Sequence, residues 1–208
     1  MIIGHIVYGA DMFETRFFEN APDGVLCPKC KTPLRYDYFP NNIEVPRGRK
    51  DDVVATYELV ELYSERFVDF IESTLNSAPL FRQVSENPKY FYYLPERTVP
   101  FDAEKRQVRF ETPCKLCGGY HSIAGAAPAP LKINALPGKG FFRTDLPFGG
   151  GFYGHKWPLV IVDPELKEVL EKEKFRGLSF VDVYSADHAW PPPEYKPNRR
   201  VTMKPPVA

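Results

Sequence analysis

The four cysteines of the chain form two CxxC pairs, Cys27–Cys30 and Cys114–Cys117. A CxxC turn directs two thiolates at one tetrahedral ion, with Zn–S distances of about 2.3 Å. Two such pairs supply one complete set of four ligands and leave no cysteine over. The pattern therefore predicts one structural Zn²⁺ bound by Cys27, Cys30, Cys114 and Cys117, with no coordination position open for catalysis.

The residue directly after the second cysteine of each pair affects how well such a turn forms. A glycine there can adopt a positive φ, which lets backbone N–H groups turn toward the sulfurs. Gly118 occupies this place in the second pair, whereas Lys31 occupies it in the first. The sequence therefore predicts a less favourable first turn.

The separation of the two pairs leaves alternatives open. Between Cys30 and Cys114 lie 83 residues, compared with roughly 15–20 in a compact zinc ribbon. Closing the longer loop costs only about 1.3 kcal/mol more, whereas structural zinc contributes roughly 10 kcal/mol or more. The rival interpretations are disulfides and a redox CxxC, although neither pair lies in an obvious thioredoxin-like context. His121 is a further candidate ligand, but four thiols already suffice.

Charge and hydropathy limit the classes of function. Lys plus Arg and Asp plus Glu each number 27, so the net charge is zero. This balance argues against a partner that is nucleic acid or an acidic membrane surface. No run of 18 apolar residues occurs, so no transmembrane helix is expected. The start of the chain lacks a basic signal-peptide region, and paired thiols suit a reducing compartment, so we expect a cytoplasmic protein.

The elements that must position the cysteines are few, because proline makes up 22 of the 208 residues and favours long loops. Hydrophobic spacing predicts a strand near the N-terminus and helices that begin at the N-caps Ser64 and Asp163. Pro79 is expected to stop the first helix, and Gly177 to close the second as a C-cap.

Three further segments carry weaker predictions. Residues 89–112 alternate apolar and polar side chains as a hairpin does. Residues 120–158 are rich in glycine, alanine and proline and are predicted to be mostly loop. The proline-rich, basic tail 191–208 is predicted to be either disordered or a docked extended arm.

An ungapped match over 24 residues relates Glu61–Val84 to Val160–Val183. It aligns Ser64 with Asp163 and predicts strand, capped helix and strand in both segments, with a CxxC pair upstream of each. Duplication is the simplest account, although any two strand–helix–strand segments look somewhat alike. We therefore predict a single α+β domain over residues 1–190, with halves of about 1–112 and 113–190 related by a pseudo-twofold and joined by the zinc.

These features together resemble the double-CXXCG proteins, a paralogous family abundant in myxobacteria. Its members carry CxxCG, a strand–helix–strand unit, a second CxxCG, and a closing unit that ends in "GhxFxxV", matched here by residues 177–183. An "hFR" phrase before the last unit is matched by Phe141, Phe142 and Arg143. The chain departs from the family at Lys31, which replaces the first glycine, and in being shorter than expected.

Members of this family are associated with immunity to polymorphic toxins exchanged between kin cells. The resemblance therefore implies a protein that binds and neutralises a cognate toxin protein. We also expect no catalytic activity, because the sequence lacks an acid–base or nucleophile set. No HExxH, GxSxG or P-loop motif occurs, and the glycine-rich segment 149–156 lacks the GK[ST] ending. The alternative is a zinc-ribbon protein that binds nucleic acid, disfavoured by the zero net charge, or an adaptor.

Overall fold

The computed structural model of the protein describes residues 1–12, 14–75, 80–150 and 155–192. This part of the chain forms two sheets and three helices, so the fold is mixed α and β with sheet predominating. None of these helices combines the length and apolar character needed to cross a membrane.

The larger sheet has eight strands, of which seven follow one another across the sheet and the eighth pairs with one of them. In spatial order the strands are β10 (Ala129–Pro130), β13 (Ser179–Tyr184), β1 (Ile2–Tyr8), β12 (Lys156–Val162), β11 (Phe141–Gly150), β9 (Tyr120–Ala124) and β8 (Arg109–Pro113), with β7 (Thr98–Val99) beside β11. The predicted N-terminal strand is thus confirmed as β1, between β12 and β13.

The smaller sheet has five strands. In spatial order they are β2 (Ala10–Met12), β3 (Val53–Thr56), β4 (Glu61–Ser64), β6 (Lys89–Tyr92) and β5 (Arg82–Glu86). The helices are α1 (Glu65–Thr74), α2 (Ala103–Arg106) and α3 (Pro164–Lys172).

Both predicted N-caps are confirmed, and they have nearly the same backbone geometry. Ser64 has φ −68° and ψ 162°, and its hydroxyl accepts a hydrogen bond from the N–H of Phe67. Asp163 has φ −70° and ψ 162°, and its carboxylate accepts from the N–H groups of Glu165 and Leu166. Such caps satisfy N–H groups that have no partner within the helix.

The two strand–helix–strand segments also share a topology. In each, the flanking strands are parallel to one another and a third strand, antiparallel to both, lies between them. β6 separates β4 from β5, and β1 separates β12 from β13. The intervening strand follows the first segment directly, but in the second it comes from the start of the chain. The predicted division near residue 112 falls inside β8, so the sheets do not follow it.

The predicted hairpin over residues 89–112 is wrong. β6 pairs with β4 and β5 in the smaller sheet, whereas β8 pairs with β9 in the larger one. Alternation of apolar and polar residues indicates a half-buried strand, but it carries no information about which strand is the neighbour.

Residues 120–158 are not mostly loop, because they contain β9, β10, β11 and the start of β12. The glycines that suggested a loop serve close approach between strands. A Cβ at Gly149 would lie 2.4 Å from the carbonyl oxygen of His155, and one at Gly150 would lie 2.4 Å from that of His121. Both glycines have positive φ, at 128° and 109°, a conformation that favours glycine.

The predicted C-cap at Gly177 is also wrong, because α3 ends at Lys172 and Glu173 is its C-cap. Gly177 has a φ of 78°, and a Cβ there would lie 2.4 Å from the carbonyl oxygen of Val53. Glycine is therefore required where the chain before β13 passes over the smaller sheet. Pro79 and residues 193–208 of the predicted tail lie outside the described residues.

One apolar cluster joins the two sheets and both long helices. It contains Phe67 and Ile71 of α1, Leu170 of α3 and Phe175 after it, together with residues of β1, β3, β11 and β12. The rings of Phe67 and Phe175 are 4.9 Å apart. The two segments therefore bury their apolar faces against one another, as expected of one domain.

Asp52 connects the same two segments through hydrogen bonds. Its buried carboxylate accepts from the Ser64 hydroxyl at 2.9 Å, from the Arg66 guanidinium at 2.8 Å and from the N–H of Arg176 at 2.9 Å. Each buried oxygen therefore has a partner, as a buried carboxylate requires. The N-cap of α1 is thereby held against the chain that follows α3.

Candidate metal centre

The structure brings the four predicted cysteines together. Their sulfur atoms all lie within 4.8 Å of one another, with 3.8 Å between Cys27 and Cys114 and 3.4 Å between Cys30 and Cys117. Four sulfurs about 2.3 Å from a tetrahedral ion would be about 3.8 Å apart, whereas disulfide sulfurs are about 2.05 Å apart. All four thiols are free, so the cluster has the dimensions of a Cys₄ metal site.

Each cysteine pair lies in a turn between two antiparallel segments, and the two turns have the same register. The residue before the first cysteine pairs with the residue six positions after that cysteine. These pairs are Leu26 with Pro33, in an isolated bridge, and Pro113 with Tyr120, at the end of β8 and the start of β9. The two turns therefore present their sulfurs in the same way.

The backbone hydrogen bonds of the two turns are also the same. The N–H of Lys31 donates to the carbonyl of Cys27, and the N–H of Gly118 donates to that of Cys114, both at 2.9 Å. Lys31 has φ 55° and Gly118 has φ 75°. The lysine thus adopts the left-handed conformation expected of glycine, at a cost of roughly 1 kcal/mol.

The turns also direct backbone N–H groups at the first cysteine of each pair. Burial opposes ionisation of Cys27, but the N–H groups of Cys30 and Lys29, together with the thiols of Cys117 and Cys30, outweigh it and lower the pKa to about 6. The N–H groups of Cys117 and Leu116 likewise lower the pKa of Cys114. Because the thiolate is the form that binds metal, the fold prepares these two sulfurs for a cation.

The pKa of Cys117 is shifted in the opposite direction. The N–H of Gly119, 3.4 Å from its sulfur, lowers its pKa. Burial and the other three cysteines together outweigh that contact and raise the pKa to about 12. A divalent cation among the four sulfurs would reverse this balance, because it stabilises every thiolate around it.

A buried lysine that was not predicted from the sequence lies beside the cluster. Lys156, the first residue of β12, is 0 % exposed. Its ammonium donates to the carbonyl of Cys30 at 2.5 Å and to that of His121 at 3.3 Å. Burial lowers its pKa, while all four cysteines act in the opposite direction. Four thiolates around one Zn²⁺ carry a net charge of −2, so Lys156 would offset half of that charge.

Thr32 and Gly119 complete the contact between the two turns, five positions after their first cysteines. The Thr32 hydroxyl lies 3.1 Å from the sulfur of Cys30 and donates to the carbonyl of Tyr120 at 3.3 Å. A Cβ at Gly119 would lie 2.9 Å from that hydroxyl oxygen. The missing side chain at Gly119 therefore lets the second turn dock against the first.

His121, the further candidate ligand, is not part of the cysteine cluster. His121 contributes its backbone carbonyl to Lys156, and its side chain is exposed. Across the described ranges, no second group of three or more His, Cys, Asp or Glu side chains is placed to hold a metal.

Four thiolates would fill a tetrahedral shell and leave no position for water or substrate, so an ion here would stabilise the fold and activate nothing. The chain matches no family model, and comparisons with curated proteins and with solved structures find no match either. The assignment of the site therefore depends on its own geometry.

Proposed function

We propose that Cys27, Cys30, Cys114 and Cys117 bind one Zn²⁺ with a structural role. The observation that carries this is the approach of four free thiols from two turns of matching geometry. The first turn lies outside both sheets but packs beside the smaller one, since Val25 shares an apolar cluster with Val54 and Leu62. The second lies between β8 and β9 at the edge of the larger sheet.

A metal link would stabilise the β8–β9 hairpin at the edge of the larger sheet. All five residues of β8 are exposed, so hydrophobic burial contributes little to holding the strand in place. A metal that links this hairpin to the smaller sheet would add its binding free energy to folding. Four thiolates in a tetrahedral shell are a usual ligand set for structural Zn²⁺.

We also propose that the two halves arose by duplication and are related by a pseudo-twofold. Matching caps, matching strand order and matching cysteine turns support this. An experimental structure of the zinc-loaded protein tests it, because one twofold axis near the metal should superpose both turns and both capped helices. Different axes for the turns and the helices would contradict the duplication.

For the protein as a whole, we infer a cytoplasmic immunity protein that binds and neutralises a cognate toxin protein. The support is the resemblance to the double-CXXCG proteins in the CxxC pairs and in residues 177–183. A metal site without an open position is consistent with it. Immunity requires a rigid scaffold and a complementary surface, and it requires no catalytic residues.

The direct test uses the protein encoded beside its gene. We expect the purified, zinc-loaded chain to bind that protein and to restore growth of cells that produce it. The Cys117→Ser variant should protect only to the extent that it still folds, as judged by circular dichroism. If the folded chain neither binds nor protects, the toxin proposal is wrong, whereas the zinc proposal is judged separately by metal content.

A further inference from the structure

A cavity of about 320 Å³ lies between the two sheets. Three aromatic residues of the larger sheet line it, namely Phe148 of β11, Trp157 of β12 and Tyr8 at the end of β1. Leu59, which is 49 % exposed, also lines the cavity and places part of its wall at the protein surface. The volume is at the lower end of the range for small-molecule sites, about 300–1,000 Å³.

One acidic side chain lines this cavity. Glu61, the first residue of β4, is 6 % exposed, and its carboxylate has no hydrogen-bond partner among the described residues except its own backbone N–H. Other buried acids are satisfied. Asp52 accepts three hydrogen bonds, and Glu58 accepts one from the N–H of Phe17 at 2.8 Å.

Within the part of the chain that the structure describes, Glu61 has no neighbouring counter-charge. Tyr8, Tyr63 and Tyr92 are its titratable neighbours, and their pKa values are raised by burial and then by Glu61. All three are therefore neutral at physiological pH. None of the described residues that line the cavity is a lysine, arginine or histidine.

Burying the Glu61 carboxyl group here costs free energy unless a ligand from outside the chain pairs with it. Burial raises the pKa of Glu61 to about 8, because the charged form loses its hydration. An apolar side chain would fill the same place without that cost. A ligand that brings a positive charge would convert the cost into a favourable pair within a poorly hydrated site.

We propose that the cavity binds a small amphipathic amine, with its ammonium group paired to Glu61 and its apolar body against Phe148 and Trp157. The aromatic rings suit both parts, since their faces attract cations and their surfaces bury apolar groups. Binding transfers the Glu61 proton to solvent as the carboxylate pairs with the ammonium. This site is separate from the four cysteines and does not depend on the toxin proposal.

The test is calorimetric titration of the full-length, zinc-loaded protein with 2-phenylethylamine near pH 7. We expect saturable binding, one molecule per chain, with release of a proton that two buffers of different ionisation enthalpy will reveal. The neutral analogue 2-phenylethanol should bind at least tenfold more weakly. Glu61→Gln should weaken amine binding at least tenfold, while the exposed-site control Glu96→Gln should leave it unchanged.

A second variant tests the cavity and not the charge. Ala124→Leu adds a larger side chain to the wall and should weaken amine binding although Glu61 is retained. Melting temperature and zinc content show that each variant is folded. Three results would each overturn the proposal: no saturation by about 10 mM amine, equal affinity for amine and alcohol, or unchanged affinity in Glu61→Gln.

Discussion

The ammonium of Lys156 and the carbonyl oxygen of Cys30 lie 2.5 Å apart, although 126 positions separate the two residues in the chain. The same ammonium also reaches His121, which follows the second cysteine turn. One buried cation therefore hydrogen-bonds to the backbone of the first cysteine turn and to that of the strand leaving the second. It also places a positive charge beside a ligand set that would carry a net negative charge with zinc.

Removal of that charge should weaken the metal site. In Lys156→Met the hydrophobic stem is kept, but the carbonyl of Cys30 loses its partner and the thiolates lose their compensating charge. We expect zinc affinity to fall by about 10–100-fold, as is typical when residues around metal ligands are changed. Competition with a chromophoric chelator measures this. The exposed Lys132→Met is the matched control, and equal affinities in the two variants would count against the role given to Lys156.

Metal removal tests the site itself. Metal analysis should find about one zinc per chain, and chelation should lower the melting temperature, because metal binding contributes to folding free energy. Cys117→Ser should lose the zinc and destabilise the whole protein. A Cys117→Ser protein with unchanged stability and no partner binding would instead identify the cysteines as contact residues.

The residue after each second cysteine allows a paired test of backbone strain. Lys31 and Gly118 both have positive φ, so Lys31→Gly should raise the free energy of unfolding by about 1 kcal/mol. Gly118→Ala should lower it by a similar amount. Chemical denaturation of both variants, each loaded with zinc, measures the two changes. Shifts of the same sign would show that turn strain does not control the stability of this site.

The sequence was sufficient for features that depend on short-range chemistry. Two CxxC pairs in a chain with four cysteines allow one complete tetrahedral set, and the structure brings the four sulfurs together. The caps Ser64 and Asp163 could be predicted because a cap depends on a side chain and the N–H groups two or three residues further on.

Features that depend on long-range pairing could not be predicted. The segments that form β6 and β8 have similar alternation, but they lie in different sheets. No local sequence pattern predicts that β1 lies between β12 and β13. Lys156 precedes a run of apolar residues, a pattern that suggests only the end of a strand. Its contact with Cys30 follows from the tertiary fold.

The two N-caps should differ in the stability they provide. Ser64→Ala removes the acceptor of one N–H group and also one of the three donors to the buried carboxylate of Asp52, so it should cost roughly 1–2 kcal/mol. Asp163→Ala removes the acceptor of three N–H groups, including the buried one of Gly140 at 2.5 Å, so we expect a loss of roughly 2–3 kcal/mol. Asp163→Asn, which can still accept through one oxygen, should lie between wild type and Asp163→Ala. Thermal denaturation measures the order, and an equal loss in both alanine variants would contradict it.

Glu61 should make the protein less stable as pH rises. Its pKa is 4.5 when exposed and about 8 in the folded protein, so between these values the folded state retains a proton that the unfolded state has released. Stability therefore falls with increasing pH across this interval. At about 1.4 kcal/mol per tenfold change in ionisation, the full cost above pH 8 is up to about 5 kcal/mol.

Glu61→Gln removes this titration and keeps the shape of the side chain. The difference in unfolding free energy between the variant and wild type should be small near pH 4 and should grow in favour of the variant up to pH 8–9. Other titrating groups, including His5 and the cysteines, are common to both proteins and cancel in the difference. Urea denaturation at closely spaced pH values measures it. A flat difference between pH 5 and 8 would mean that Glu61 ionises as it does in water, and the carboxyl would then be hydrated and not buried.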